Sequence, residues 1–168
     1  MLHYEAVPRT VRDLLVVLAP SDALRDFSLG GGTSLALRFG HRISVDLDFF
    51  TTMEFSSDDL FEKLDVRSGM VLGNAKNTLT IDVDGVKLDL LRHAYPVLQP
   101  PDPIDGISLI GLPDLAAMKL NAIANRGSKK DFYDVVELLK HFPMEEMLGF
   151  FSCKYIRSDP FSVIRSLA

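Results

Sequence analysis

Two segments of the chain alternate apolar and polar residues, a pattern typical of half-buried β-strands. In the first segment, apolar positions from Val45 onward alternate with Asp46 and Asp48. The second alternates on both sides of Asp84-Gly85, the dipeptide that favours a tight type I′ hairpin turn. Together with the local composition, these patterns predict strands at residues 26–29, 45–50, 78–83, 86–93 and 107–110.

Apolar residues recur at helical intervals elsewhere, between Pro and Gly residues that mark the boundaries. A Pro-rich stretch at 96–103 predicts an extended connection between the two parts of this pattern. Strands and helices alternate early and helices gather late, so the expected fold class is α/β (α+β) with a small mixed sheet. Helices are predicted at residues 8 or 10 to 19, 33–39 with Thr33 or its neighbour as N-cap, 56–66, 113–126, 128–141, 144–154 and 160–167.

Length and composition favour one packed core. The 168 residues are 47% hydrophobic, and we expect a single domain over 1–168, with a sheet core at 1–110 and C-terminal helices at 111–168 packed on it. A net charge of −5 argues against a general binder of nucleic acids or anionic membranes. The lone Cys153 and the lack of a long apolar run predict a soluble, cytoplasmic protein without a membrane partner.

Acidic residues within apolar strands are the first candidates for chemistry. Asp46 and Asp48 are two residues apart on a predicted strand, so their carboxylates share a face and repel each other. Asp89 is a lone acid inside an apolar strand, and a neighbouring strand would bring it beside the pair. Mg²⁺ would relieve the repulsion, so three such acids predict a two-cation phosphoryl-transfer site. The alternative for the pair alone is the solvated acidic face of an edge strand.

Gly31 and Gly32 lie between a predicted strand and a predicted helix. Glycines there let the backbone approach a phosphate, while the helix N-terminus supplies N–H donors and Thr33 a hydroxyl. An ordinary tight turn that leads into a helix can have the same sequence. The glycines therefore indicate a phosphate site only in combination with the three acids. A basic patch precedes the acidic strand, where it forms either a solvated turn or a contact with polyphosphate or RNA: Arg38, His41 and Arg42.

Lys119 lies on the apolar stripe of the predicted helix 113–126. Burial disfavours its charge, so the ammonium either snorkels to the surface or meets an anion, and a phosphate or an acid would serve. Asp131 and Asp134 share a face of the next helix, where Asp131 would also complement the helix dipole. A Lys119→Met protein is expected to fold at least as well as the wild type.

Two stretches, LGGGTSLALR at 29–38 and HRISVDLDFF at 41–50, resemble the signature of the AbiEii/AbiGii toxin family of nucleotidyltransferases. The resemblance continues with Asp89 as a third acid, with Asp-x4-Lys at 114–119 and with Lys-Asp-x-Tyr-Asp at 130–134. It implies a nucleotidyltransferase (polymerase β-like) core and transfer of a nucleotide from an NTP. Characterised members act in type IV toxin–antitoxin systems.

The resemblance also implies roles for single residues. Asp89 would activate the acceptor hydroxyl in addition to binding metal, and the nucleotide phosphates become a candidate partner for Lys119. The helical region after Leu139 is shorter than in larger family members, which leaves the acceptor site, a homodimer and activity itself open. The implied sites are a triphosphate loop (Gly31, Gly32, Thr33), ligands for two Mg²⁺ ions (Asp46, Asp48, Asp89), and contacts to the NTP (Lys119, Asp131), with Lys119 and the three metal-binding acids as the catalytic residues.

Three hypotheses for function remain from the sequence. The first is a Mg²⁺-dependent nucleotidyltransferase that moves an NMP from an NTP to RNA, tRNA foremost, or to protein, as the toxin of a type IV toxin–antitoxin or abortive infection system with a cognate antitoxin. The second is a catalytically inactive module of the same fold that binds a nucleotide or a partner. The third is a small-molecule nucleotidyltransferase resembling the aminoglycoside enzymes, which differs only in its acceptor.

Overall fold

The structure, a computed structural model, describes residues 1–64, 66 and 68–167, within which the chain forms a seven-stranded mixed sheet. The sheet order is β3-β4-β5-β2-β1-β7-β6; β2 is parallel to β5 and β1 to β7, and the remaining neighbours are antiparallel. This mixed sheet confirms the predicted fold class. The strands are β1 (Ser28–Leu29), β2 (Leu47–Thr51), β3 (Gly69–Ala75), β4 (Thr78–Val83), β5 (Val86–Arg92), β6 (Asp102–Ile104) and β7 (Ile107–Leu109).

The helices agree with the predicted set, with differences at their ends. The predicted ends at residues 66 and 141 are wrong, because the chain leaves the helical conformation after Lys63 and Leu138. No helix among the described residues is long and apolar enough to cross a membrane. The α-helices are α1 (Arg9–Leu18), α2 (Gly31–Phe39), α3 (Ser57–Lys63), α4 (Leu112–Asn125), α5 (Lys129–Leu138), α6 (Met144–Lys154) and α7 (Pro160–Leu167).

The chain divides into two compact units. The first comprises Met1–Ala94 and Asp102–Leu109, and it contains the whole sheet with α1, α2 and α3. The second comprises Tyr95–Pro101 and the chain from Ile110 onward, and it contains α4 to α7. The connection before β6 therefore belongs to the helical unit. The packing of the C-terminal helices on the sheet core stays a prediction.

One face of the sheet forms the core of the first unit. In β5, Val86, Leu88 and Leu90 are buried, whereas Lys87 and Asp89 lie on the other face, which confirms the predicted alternation. The apolar stripe of α1 belongs to the same buried cluster. Each fully buried Leu or Val contributes roughly 1.5–3 kcal/mol relative to an exposed one, so this face fixes the register of the sheet.

The β4–β5 hairpin has the predicted type I′ geometry. Asp84 (φ 53°) and Gly85 (φ 83°) both adopt positive φ, as this turn requires. A second Asp-Gly turn, Asp105 (φ 52°) and Gly106 (φ 79°), joins β6 to β7 and was not predicted. Strands β3 and β6 were not predicted either.

The start of β2 differs from the prediction. The strand begins at Leu47, and Val45 is 44% exposed instead of joining the buried face. The residues before β2 are held by other elements: the N–H of Ser44 donates to the carbonyl of Ala6, and the carbonyl of Asp46 accepts from Thr33. These hydrogen bonds take the place of strand-to-strand hydrogen bonds, so Asp46 lies just before β2.

Candidate active site

Asp48 and Asp89 lie side by side on the half-buried face of the sheet. They are direct partners in the parallel pairing of β2 with β5, and neighbouring strands are about 4.8 Å apart. The structure thus confirms that a neighbouring strand brings Asp89 beside Asp48, whereas Asp46 precedes β2. Because the pairing also continues through Leu47 and Leu88, the buried neighbours of these acids fix their register.

Both carboxylate oxygens of Asp89 accept hydrogen bonds from the protein. The hydroxyl of Thr80 donates to Oδ1 at 2.6 Å, and the ammonium of Lys87 donates to Oδ2 at 2.5 Å. The pKa of Lys87 is raised, chiefly by this hydrogen bond; partial burial opposes the shift, and the charges of Asp89, Asp48 and Asp46 add to it. Lys87 is therefore close enough to all three acids to be stabilised by them.

The sequence interpretation did not include Lys87 in the site. The available signal was its spacing, since residues two apart on a strand share a face and Lys87 precedes Asp89 by two.

The first turn of α2 packs tightly against two charged side chains. Gly31 has a φ of +61°, and a Cβ there would lie 2.1 Å from Oδ2 of Asp48. A Cβ on Gly32 would lie 1.9 Å from Nη2 of Arg42. The N–H of Gly30 donates to the carbonyl of Asp48 at 2.8 Å. The helix N-terminus, a carboxylate and a guanidinium therefore meet at one place.

Thr33 lies inside α2, so its prediction as the N-cap is wrong; the N-cap is Gly30. The Thr33 side chain is buried, its hydroxyl donates to the carbonyl of Asp46, and it lies 2.9 Å from Oγ of Ser44. In this arrangement the hydroxyl fastens α2 to the segment that carries Asp46. The Thr33 hydroxyl therefore positions Asp46 and does not point to open solvent.

Arg38 and Arg42 of the basic patch have different surroundings. Nη2 of Arg38 donates to Oδ2 of Asp102 at 2.9 Å, and the Arg38 side chain is 9% exposed, so it is part of an ion pair that ties α2 to β6. Arg42 donates from Nη1 to the carbonyl of Ile43 at 3.1 Å and lies against Gly32. The solvated-turn alternative therefore does not describe Arg38.

Lys119 is buried within the helical unit, on α4. Its side chain is 7% exposed, and its ammonium lies 3.2 Å from Oδ1 of Asp131 and 2.7 Å from Oδ2 of Asp134, both on α5. The surface-lysine alternative is wrong, and the expected acidic partner Asp131 is confirmed. Asp134, the second partner, is the residue that shares its helical face.

Asp131 is surrounded by donors. Its oxygens accept from Nε and Nη2 of Arg126, both at 2.9 Å, and from the hydroxyl of Ser128 at 2.5 Å. Burial would raise the pKa of Asp131, but the hydrogen bonds from Arg126 and Ser128, together with the charge of Lys119, lower it below its usual value. The carboxylate is therefore fully ionised and paired at neutral pH.

Asp114, the first residue of the Asp-x4-Lys element, does not pair with Lys119. It is buried and accepts from the ammonium of Lys154 at 2.6 Å and from the N–H groups of Leu98 and Gln99. Lys154 also donates to the carbonyl of Pro96 at 2.8 Å. This group holds the connection 95–101 to α4 and α6, and the sequence interpretation missed it.

The three candidate acids fit a divalent cation by their chemistry. Asp46, Asp48 and Asp89 offer the hard carboxylate oxygens that Mg²⁺ prefers, and the Asp48 carboxylate lies in the recess left by Gly31. In the part of the chain that is described, no three His, Cys, Asp or Glu side chains are already grouped to hold an ion. In this conformation all three acids instead interact electrostatically with the ammonium of Lys87.

Comparisons with known proteins agree with this geometry. Residues 13–89, which include Gly31, Gly32 and the three acids, match the family described as "Nucleotidyl transferase AbiEii toxin, Type IV TA system". The Aquifex aeolicus (strain VF5) protein aq_aa25 is 39% identical over 163 residues, which cover 93% of this chain and 79% of that protein.

Two solved structures share the fold. The crystal structure of JHP933 from Helicobacter pylori has a TM-score of 0.61 at 16% identity, covering 99% of this chain and 90% of that one. The solution structure of the antibiotic-resistance factor ANT(2'')-Ia has a TM-score of 0.61 at 15% identity, covering 86% of this chain and 91% of that one. With the family match and the aq_aa25 relative, the signature and the paired acids identify the chain as a member of the AbiEii family of nucleotidyltransferases.

Proposed function

We propose that this nucleotidyltransferase moves an NMP from an NTP to RNA, with tRNA as the first candidate, or to protein, in a reaction that requires Mg²⁺. In this proposal it acts as the toxin of a type IV toxin–antitoxin or abortive infection system with a cognate antitoxin. The observation that carries the proposal is the pairing of Asp48 with Asp89 beside the N-terminus of α2. An oxygen-donor face for a cation and a phosphate-binding helix end then occupy one site.

The acids would hold the cations, and the protein would position the reactants. Asp46, Asp48 and Asp89 are the proposed ligands of two Mg²⁺ ions, which when bound neutralise charge on the triphosphate and on the leaving pyrophosphate. Asp89 would accept the proton of the attacking hydroxyl. The N–H groups in the first turn of α2 would bind the phosphates, and Arg42, which lies against Gly32, would contact them.

Lys119 and Asp131 stay proposed contacts to the NTP, on the strength of the family resemblance alone. Their contacts in the structure are to each other and to Asp134, Arg126 and Ser128, and these contacts join α4 to α5. Replacing Lys119 alone and together with Asp134 separates a contact with the nucleotide from a role in holding the helices together.

The experiment measures NTP binding and the Mg²⁺-dependent incorporation of label from each α-³²P NTP into total RNA, into protein and into an aminoglycoside. Wild type and Asp13→Asn, which removes an exposed acid on α1, should both transfer label. Asp48→Asn should not, although its thermal melt without Mg²⁺ should match wild type or exceed it, because one member of a repelling pair is gone.

The outcomes distinguish the three hypotheses from one another. Transfer to RNA or protein that Asp48→Asn abolishes supports the proposal. Binding of NTP without transfer to any acceptor contradicts it and favours an inactive binding module. Transfer of label to an aminoglycoside alone contradicts the macromolecular acceptor and favours a small-molecule enzyme.

A further inference from the structure

A protein cation already occupies one oxygen of the proposed metal site. The ammonium of Lys87 lies 2.5 Å from Oδ2 of Asp89, while the Thr80 hydroxyl takes Oδ1. Each carboxylate oxygen keeps a second lone pair, but a dication on Oδ2 would lie within a few ångströms of the ammonium and repel it. The Lys87 side chain is 49% exposed, so its departure from Asp89 into solvent needs no change in the buried core.

Lys87 also reduces the electrostatic repulsion among the acids on this face of the sheet. Asp48 and Asp89 are direct partners across parallel strands, and like charges placed opposite each other destabilise a sheet. The positive charge of Lys87 feels Asp46, Asp48 and Asp89 together. It therefore offsets the repulsion among the acids in the protein without metal. A dication that neutralises the same acids takes over this role and repels the ammonium.

We propose that Lys87 is a place-holding cation: it holds Asp89 in position before metal binds, competes with Mg²⁺ for Oδ2 of Asp89, and leaves when the ion enters. This inference rests on the proposed function, because it takes the three acids as the metal ligands. Lys87 is thus a positioning residue that lowers the affinity of the free enzyme for metal. Metal occupancy of such a site rises when a nucleotide binds, because the nucleotide adds negative charge for both the metal ion and the Lys87 ammonium.

The test is a titration of the full chain with Mn²⁺ in the absence of nucleotide, followed by the electron paramagnetic resonance signal of the free ion. Lys87→Met keeps the apolar stem and removes the competitor, so its Kd for Mn²⁺ should be lower than that of wild type by about fivefold, or about 1 kcal/mol. Lys87→Arg, which keeps the charge, should bind as wild type does. Lys76→Met, which removes an exposed lysine at the β3–β4 turn, should also bind as wild type does.

A Kd in Lys87→Met that is unchanged or higher than that of wild type overturns the proposal. The absence of any Mn²⁺ binding in Lys87→Met does so as well, because removing a competitor must leave a measurable site. A thermal melt of each variant without metal confirms that the comparison is between folded proteins.

A second readout follows Lys87 in the wild-type protein. With and without saturating Mg²⁺, a trace of an amine-acylating reagent should label Lys87 more strongly when metal is present, whereas labelling of Lys76 should stay constant. Equal labelling of Lys87 in both conditions contradicts its displacement.

Asp48→Asn separates this inference from the proposed function. If Asp48→Asn loses Mn²⁺ binding while Lys87→Met binds like wild type, the metal site stands and only the role of Lys87 is wrong. If Asp48→Asn binds Mn²⁺ like wild type, the acids are not the metal site and both proposals fail.

Discussion

Replacing Lys119 with Met should destabilise the helical unit strongly. The substitution removes the ammonium that lies 2.7 Å from Asp134 and 3.2 Å from Asp131, two carboxylates that are almost fully buried. Taking one partner from a buried ion pair costs about 3–5 kcal/mol, because a buried charge loses its compensation. This reverses the expectation from the sequence that Lys119→Met folds at least as well as wild type. In a protein of this size the loss corresponds to roughly 10 °C in Tm.

The assay compares thermal melts and NTP affinity in three proteins: wild type, Lys119→Met, and the double variant Lys119→Met with Asp134→Leu. The double variant removes the charge left uncompensated at Asp134, and replacing a buried ion pair by apolar residues is often neutral. Asp131 keeps its bonds from Arg126 and Ser128. The double variant should therefore regain most of the lost Tm.

NTP affinity then assigns the role of Lys119. If affinity falls in the single variant and returns with stability in the double variant, Lys119 acts by holding α4 to α5. If affinity stays low in a stable double variant, Lys119 contacts the nucleotide. A Lys119→Met protein with the Tm of wild type would refute the reasoning, because it would show that the buried carboxylates do not need the lysine.

Three further predictions follow from single contacts. Gly31→Ala should cost roughly 1–2 kcal/mol from its positive φ alone and should abolish label transfer, since its Cβ would lie 2.1 Å from the Asp48 carboxylate; wild-type transfer would contradict this. The lowered pKa of Asp131 gives stability that is present above the unfolded value of about 3.9 and lost as pH falls through the folded one, so urea melts should show less acid destabilisation in Asp131→Asn than in wild type. Asp114→Asn, which removes the charge partner of the buried Lys154, should lower the free energy of unfolding by about 3–5 kcal/mol. A change within about 0.5 kcal/mol in urea melts would show that the protein does not need the Asp114–Lys154 ion pair.

The sequence predicted the part of the fold in which local pattern and tertiary role coincide. The β4–β5 hairpin was predictable because Asp84-Gly85 requires positive φ at both positions and the flanking strands bury alternate residues. The position of Asp89 beside Asp48 on a neighbouring strand was predictable because an acid within the apolar stretch Leu88-Asp89-Leu90-Leu91 is rarely left unpaired.

Strands β3 and β6 escaped prediction because they bury no continuous face. Most of β3 is exposed at the edge of the sheet, and β6 is three residues long with Pro103 at its centre. Their strand conformation comes from bonds to a neighbouring strand, which a periodic pattern does not record. The clamp between Asp114 and Lys154 escaped for a similar reason, since its partners are 40 residues apart.

Lys-Asp pairs occur in both units of the chain, and burial decides what each pair can do. Lys119 is 7% exposed between two buried acids, so separating it from them would cost several kcal/mol and the pair acts as a fixed brace. Lys87 is 49% exposed against Asp89, and a pair so open to solvent contributes about 1 kcal/mol or less. In our proposal, a dication that binds the three carboxylates displaces the exposed Lys87. The buried Lys119 stays paired, because separating it from its two acids costs more free energy. The same two residue types thus form a buried ion pair in the helical unit and a solvent-exposed one on the sheet, and only the exposed pair is the one that we propose a metal ion displaces.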